Sequence, residues 1–110
     1  MPQFKFLNSN YLTIPKIFVL SAARIQLSNC YWDITAITNN KNMEGEDVYM
    51  FHLYEPSYMV HRVLYLDRNI KQDGTVNLSD GICTHPVEAD KIDTDHLYEC
   101  IVRFIKEMEE

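Results

Sequence analysis

The chain has 110 residues, of which 46% are hydrophobic and 24% are charged, and this composition excludes a disordered or low-complexity protein. A chain of this length is predicted to form a single domain over residues 1–110. Its formal net charge of −6 arises entirely after Ser79. Because the sequence contains no basic patch, we predict no direct binding to nucleic acid.

The cysteines and the apolar stretches indicate a cellular location. Cys30, Cys83 and Cys100 are an odd number with wide spacing, which does not suit a disulfide framework. The chain begins without the pattern of a secretory leader, and its longest apolar stretch, residues 17–23, is too short to span a bilayer. We therefore expect a reduced, cytoplasmic protein that does not contact a membrane.

The first part of the chain is predicted to form short β-strands. Residues 4–7 and 11–14 are two short strand pieces, separated by the turn residues Asn8, Ser9 and Asn10. Residues 17–27 alternate between apolar and polar side chains, which predicts a strand with one wet face. A helix over residues 21–27 is the alternative, since its side chains also tolerate helical structure.

The central part predicts a sheet. Residues 31–38, 48–54 and 58–66 are rich in aromatic and β-branched side chains, as strands are, and the polar stretch 39–47 is predicted to be a loop. Residues 58–66 are apolar on both faces. That strand is therefore expected to be central and covered by a helix on one side, or to meet a partner on the other.

The remaining segments are a turn, a short strand, a crossing loop and a helix. Asp73-Gly74 predicts a tight turn before a strand at residues 75–78, while residues 80–93 lack periodicity and are predicted to cross back over the sheet. Asp93, Thr94 and Asp95 suit a helix N-terminus. One apolar stripe follows, formed by Leu97, Ile101, Phe104, Ile105 and Met108. We predict an α+β fold: a mostly antiparallel sheet of about five to seven strands with one C-terminal amphipathic helix packed on it.

Two histidines flank a predicted hairpin turn. A four-residue loop, Glu55 to Tyr58, sets His52 opposite His61, whereas a three-residue loop points them to opposite faces. Even when paired they supply only two of the four ligands of a structural zinc site. We therefore predict no metal ligands, and we favour two ordinary strand histidines.

A thiol and an imidazole stand two residues apart in Cys83-Thr84-His85. A nucleophilic cysteine also needs hydrogen-bond donors for the developing oxyanion, and no turn or helix start follows to supply them. The three glycines are isolated, so no phosphate-binding loop is possible. We expect no catalytic residues and no cofactor. A small ligand- or metal-binding enzyme that uses His52, His61, Cys83 or His85 is the least favoured hypothesis.

Tyrosine and methionine side chains cluster on the two central strands. The tyrosines are Tyr49, Tyr54, Tyr58 and Tyr65, and they are accompanied by Met50, Phe51 and Met59. This composition is typical of contact surfaces and also of a β core. Because one face of the sheet should remain apolar after the helix has packed, we predict a non-enzymatic protein–protein interaction module. Its partner is expected to be another protein, with a homodimer as one form of that interaction.

The C-terminal third carries an acidic group formed by Glu88, Asp90, Asp93 and Asp95. These residues lack the ligand order and the central glycine of a calcium loop. Their functional interpretation is an acidic inhibitor or nucleic-acid mimic, of the kind that viruses and mobile elements encode, which would block a basic groove on a partner protein. We rank this hypothesis second.

Overall fold

The structure, a computed structural model, describes residues 11–109 and the side chains of residues 11–108. Within this range six strands form one antiparallel sheet in sequence order. They are β1 (Arg24–Gln26), β2 (Tyr31–Lys41), β3 (Asp47–Glu55), β4 (Val60–Asp67), β5 (Thr75–Ser79) and β6 (Thr84–Glu88). The α-helix α1 (Thr94–Glu109) follows, and short 3₁₀ turns lie at Ile17–Leu20 and Ala89–Lys91.

The predicted α+β fold is confirmed, because α1 packs on one face of the sheet. The core joins alternate strand residues such as Phe51 and Leu64 to the helix stripe. Four members of that stripe are buried: Leu97, Ile101, Phe104 and Ile105. Asp93 precedes the helix as predicted, and its carboxylate accepts the N–H of His96 at 2.8 Å.

The sheet curls around the helix, so both edge strands reach it. On the β1 side the Tyr98 hydroxyl donates to the Arg24 carbonyl at 2.7 Å. On the β6 side the ring of His85 packs edge-on against Phe104, with the ring centroids 4.9 Å apart. A flat sheet of six strands, spaced about 4.8 Å apart, would not bring both edges to one helix. Among residues 11–109, neither α1 nor the 3₁₀ turns have the length and hydropathy of a membrane-spanning helix.

The prediction for residues 17–27 is wrong over its first half. Ile17–Leu20 forms a 3₁₀ turn, and only Arg24–Gln26 is strand. The backbone at Lys16 (φ 62) and Ala22 (φ 74) is left-handed, which interrupts an extended chain on both sides of the turn. Residues 11–14 form only an isolated bridge between Tyr11 and Asn69, and residues 4–7 lie outside the described range.

The predicted crossing loop at residues 80–93 is also wrong, since the chain turns at once and forms β6 beside β5. Pro86 sits in the middle of this edge strand, opposite Asn77. The N–H of Ala89 bonds to the carbonyl of Gly74, and hydrogen-bonded pairs alternate along an antiparallel ladder. Pro86 therefore falls where its nitrogen points away from β5, so it costs no ladder hydrogen bond.

The predicted loop 39–47 is shorter than expected, because β2 continues to Lys41. Asn42 begins the turn, and its side-chain oxygen accepts the N–H groups of Glu44 and Glu46 at 3.0 and 2.9 Å. This turn lies at the opposite end of the sheet from the turn between β3 and β4. The end of β2 at residues 39–41 was not predicted because its side chains are polar and face solvent.

Candidate functional site

The hairpin of β3 and β4 projects beyond the strand beside it. β5 pairs with β4 only at Tyr65 and Leu66, whereas β3 pairs with β4 as far as Glu55 and Val60. We call residues 55–60 the hairpin tip. No residue of β5 therefore pairs with the hairpin tip.

A buried carboxylate fixes the shape of the hairpin tip. Glu55 is only 2% exposed, and its two carboxylate oxygens accept the N–H groups of Ser57 and Tyr58, each at 2.9 Å. Hydrogen bonds to a charged acceptor are stronger than neutral ones. The turn is therefore held in one conformation although its outer residues face solvent.

The outer residues of the tip are large, apolar and exposed. Tyr58 is 79% exposed and Met59 is 74% exposed, and Val60 beside them is also exposed. The backbone of Met59 is left-handed, with φ 57. For residues other than glycine this conformation costs roughly 1–2 kcal/mol.

A second apolar surface runs from the tip along the face of β3 and β4 that is turned away from α1. We call it the open face, and it consists of Met50, His52, Tyr54, His61, Val63 and Tyr65. The side chains are half-buried except that of His61, which is exposed. The rings of Tyr54 and His61 stack with their centroids 4.6 Å apart.

The register of β3 and β4 differs from both predicted registers. The loop has four residues, Pro56 to Met59, so Tyr54 pairs with His61 and His52 pairs with Val63. The two histidines share a face but are diagonal neighbours instead of a pair. His52 instead lies 3.2 Å from the Thr38 hydroxyl. No group of three or more metal-ligating side chains occurs among residues 11–108.

The four predicted tyrosines do not form one surface. Tyr54 and Tyr65 lie on the open face and Tyr58 lies at the tip. Tyr49 points to the core side and is buried. Its hydroxyl accepts the N–H of Ile14 at 3.2 Å, and the Arg68 guanidinium lies 4.3 Å from its ring centroid.

The four predicted acidic residues gather around the start of α1, where two have structural contacts. Glu88 forms an ion pair with Lys91 at 3.1 Å, and the Asp93 carboxylate, just before α1, accepts the His96 N–H. Asp90 and Asp95 are exposed. A negative charge at Asp95 also suits the first turn of a helix.

A small cleft of about 130 Å³ lies between β6 and α1. In it the His85 imidazole lies 3.3 Å from the Glu107 carboxylate. Cys100 lines the cleft, and burial raises the pKa of its thiol. A thiol with a raised pKa stays protonated at neutral pH and is a poor nucleophile. The cleft is also well below the roughly 300–1,000 Å³ of typical small-molecule sites.

Cys83 lies outside this cleft lining, in the turn between β5 and β6. Its N–H donates to the Asp80 carboxylate at 2.7 Å. The ring of His85 packs on Phe104 and faces Glu107, so the contacts of this imidazole are with the helix. The Cys83 thiol and the His85 imidazole therefore lack the mutual hydrogen bond that would activate a nucleophile.

Comparison with known proteins gives no relative. No known protein family matches the chain, and neither a curated protein nor a solved structure matches it significantly. Any function must therefore be argued from the residues themselves.

The role of Glu55 was not predicted from the sequence. One of the predicted loops, Glu55 to Tyr58, does place Glu55 at its first position, and a side-chain acceptor before proline is typical of turns, but capping by this carboxylate was not predicted. The left-handed backbone of Met59 left no signal, because methionine has no preference for that conformation.

Proposed function

We propose that the protein is a non-enzymatic binding module that docks on another protein through its hairpin tip and the adjoining open face. The observation that carries this proposal is the exposure of Tyr58 and Met59 on a turn that the buried Glu55 carboxylate holds in shape. Aromatic side chains and methionine are enriched in protein interfaces and depleted elsewhere on surfaces.

Two physical arguments support this function. A turn that is already ordered loses little conformational entropy when a partner binds, so more of the contact energy appears as affinity. Met59 also adopts a left-handed backbone that glycine would adopt without strain. A strained backbone at an exposed apolar residue supports a role for its side chain in binding a partner instead of in stabilising the fold.

The acidic-inhibitor hypothesis has weaker support. Of its four residues only Asp90 and Asp95 are exposed without an ion pair or side-chain hydrogen bond among the described residues. The two hypotheses predict opposite salt dependence. A complex formed by the hairpin tip should persist in about 0.5 M salt, whereas a complex formed by exposed charges should dissociate.

The test is native mass spectrometry of the protein isolated from the cells that produce it. We expect a complex of defined stoichiometry with a second polypeptide, which survives high salt. The double variant Tyr58→Ser, Met59→Ser should lose it, because both anchors are removed. Tyr54→Ser should weaken it.

Ile82→Ser is the matched control, since Ile82, in the turn between β5 and β6, is 91% exposed and thus at least as accessible as the tip residues. This variant should keep the complex. A complex that survives in the double variant, or one lost only when Asp90 and Asp95 become Asn, would refute the proposal. A mass of two chains would identify the partner as a second copy.

A further inference from the structure

β4 is a central strand of the sheet, but the first half of β4 pairs with β3 alone. β5 joins β4 at Tyr65 and leaves it after Ser79, where the chain turns toward β6. Residues 60–64 of β4 therefore have β3 on one side and no strand on the other among residues 11–109. At about 3.3 Å per residue this edge is roughly 16 Å long.

The backbone groups that face this edge can be identified from the ladder. The N–H of Arg68 bonds to the carbonyl of Asp47, and these residues continue the pairing of β3 with β4. Since hydrogen-bonded pairs alternate along an antiparallel ladder, Leu64 and Arg62 bond to β3. His61 and Val63 therefore turn their N–H and C=O groups toward the free edge.

In the described part of the chain, β5 does not pair with these two residues, and no loop backbone group bonds to them. Unpaired groups along a strand edge are a template for another strand. Folded proteins commonly block such edges with proline, as Pro86 does in β6. The β4 edge has no proline between Val60 and Leu64.

The charge at this edge argues against a second copy as the added strand. To pair all four groups in both molecules, a two-fold symmetric dimer would set His61 opposite Val63. Arg62 would then face the same arginine of the other copy. Like charges directly opposite across a ladder are destabilising.

The same charge favours an acidic partner strand. Arg62 is exposed and forms no ion pair among residues 11–108, and its guanidinium lies 5.9 Å from the ring centroid of Trp32. Arg62 helps to lower the pKa of Asp80, but the Asp80 carboxylate already accepts two N–H groups. A carboxylate opposite Arg62 would form a cross-strand charge pair.

We propose that the free edge of β4 at His61 and Val63 accepts an extended segment of a partner protein as an added β-strand, with an acidic side chain opposite Arg62. The residues of that segment opposite His61 and Val63 would extend the open face, next to Val63 and Tyr65 of β4, so they should be apolar. This inference rests on the proposed function, because the same partner would contact the hairpin tip. Backbone hydrogen bonds supply affinity in such strand addition, and alternate side chains supply specificity.

The test uses amide hydrogen exchange of the full chain with two short synthetic peptides. Each peptide alternates valine with threonine and is capped at both ends, and the two differ only by glutamate or lysine at the centre. The glutamate peptide should slow the exchange of the His61 and Val63 amides about tenfold or more. The Leu64 amide, which faces β3, should not change.

Two variants sharpen this test. Val63→Pro removes an outward N–H without removing a bond to β3, so it should abolish the peptide effect, while Val63→Thr should keep it. Arg62→Glu should reverse the preference so that the lysine peptide binds better. This second variant keeps every backbone N–H, so it remains informative if Val63→Pro folds poorly.

Several results would overturn the inference. One is slow exchange at His61 and Val63 in the dilute protein without peptide, because these groups would then be paired within the chain. Another is no change with either peptide at millimolar concentration. Protection that rises with protein concentration alone would identify a second copy as the strand.

The two proposals can fail separately. A native complex that is lost in the Tyr58→Ser, Met59→Ser variant but retained in Val63→Pro leaves the binding function intact and removes the added strand. A complex that ignores the tip residues removes the binding function itself, whatever the peptides show.

Discussion

Two turns at the same end of the sheet are capped in the same way by a carboxylate. The turn between β3 and β4 begins with Glu55, and the turn between β5 and β6 begins with Asp80. Each carboxylate accepts the N–H groups of the residues two and three positions further on. Each turn also exposes a large apolar side chain, Tyr58 in the first and Ile82 in the second.

The turns differ in burial and in the residue at the left-handed position. Glu55 is buried, whereas Asp80 is half-buried. The left-handed position is Met59 in the first turn and Gly81 in the second. A capped turn with glycine needs no explanation beyond folding, because glycine adopts this backbone freely. A methionine there makes the first turn the better candidate for a contact surface.

Removing the two carboxylates should have unequal effects. Glu55→Ala leaves the Ser57 and Tyr58 N–H groups without their acceptor at a part-buried site, so we expect a loss of about 1–3 kcal/mol in the free energy of unfolding. Asp80→Ala should cost about 1 kcal/mol or less, because water can replace a half-buried carboxylate. Urea denaturation of both variants measures the difference.

Glu55→Gln is the control for this pair, since its amide oxygen can still accept one of the two N–H groups. It should fall between the wild type and Glu55→Ala. Equal losses for Glu55→Ala and Asp80→Ala would mean that the buried carboxylate stabilises its turn no more than the half-buried one does.

Exchanging the residue types at the left-handed positions should move stability in opposite directions. Met59→Gly should raise the free energy of unfolding by about 0.5–1 kcal/mol, because glycine relieves the strained backbone. Gly81→Ala should lower it by about 1 kcal/mol or more. A Cβ at Gly81 has no atom within 4 Å, so this loss measures the backbone alone.

Thermal or urea unfolding of both variants tests this exchange, and native mass spectrometry of Met59→Gly tests its consequence. A more stable protein that forms less complex would show that Met59 contributes to binding at the expense of the fold. A destabilised Met59→Gly would show instead that the methionine side chain packs usefully on the hairpin tip.

The parts that sequence patterns predicted correctly depend on local periodicity. The stripe that includes Leu97 and Ile101 predicted the helix and its buried face, because side chains three and four apart share a helix face. The strands β2, β3 and β4 followed from β-branched and aromatic runs. β6 was missed because Pro86 and His85 break the apolar alternation of a five-residue edge strand.

The candidate site was less predictable, because it depends on register. A shift of one residue in the β3–β4 loop exchanges the two faces of β4 relative to β3, so the sequence left open whether Tyr65 would share a face with Tyr49 or with Tyr54. The free edge of β4 follows only from the point at which β5 leaves it. No composition or spacing in the sequence marks that point.

Lowering the pH tests how much the charge of the Asp80 carboxylate, apart from its hydrogen bonds, adds to stability. We expect this effect to be smaller than those of the two preceding sets of variants. Burial raises the pKa of Asp80. The N–H groups of Cys83 and Ile82 and the charge of Arg62 together lower this pKa by more, so the net shift is downward. A carboxyl group with a lower pKa in the folded state stabilises the fold above its unfolded pKa of about 3.9. That stabilisation is lost as the pH falls through the lower, folded value.

Asp80→Asn keeps an acceptor oxygen for these N–H groups but does not titrate. The free energy of unfolding, measured by urea denaturation between about pH 6 and pH 3, should therefore decline less steeply in this variant than in the wild type. A remaining slope is expected from Asp47 and Asp73, whose pKa values are also lowered, mainly by side-chain hydrogen bonds from Lys41 and Thr75. Identical slopes in the two proteins would mean that the ionised form of Asp80 adds nothing to the stability of its turn.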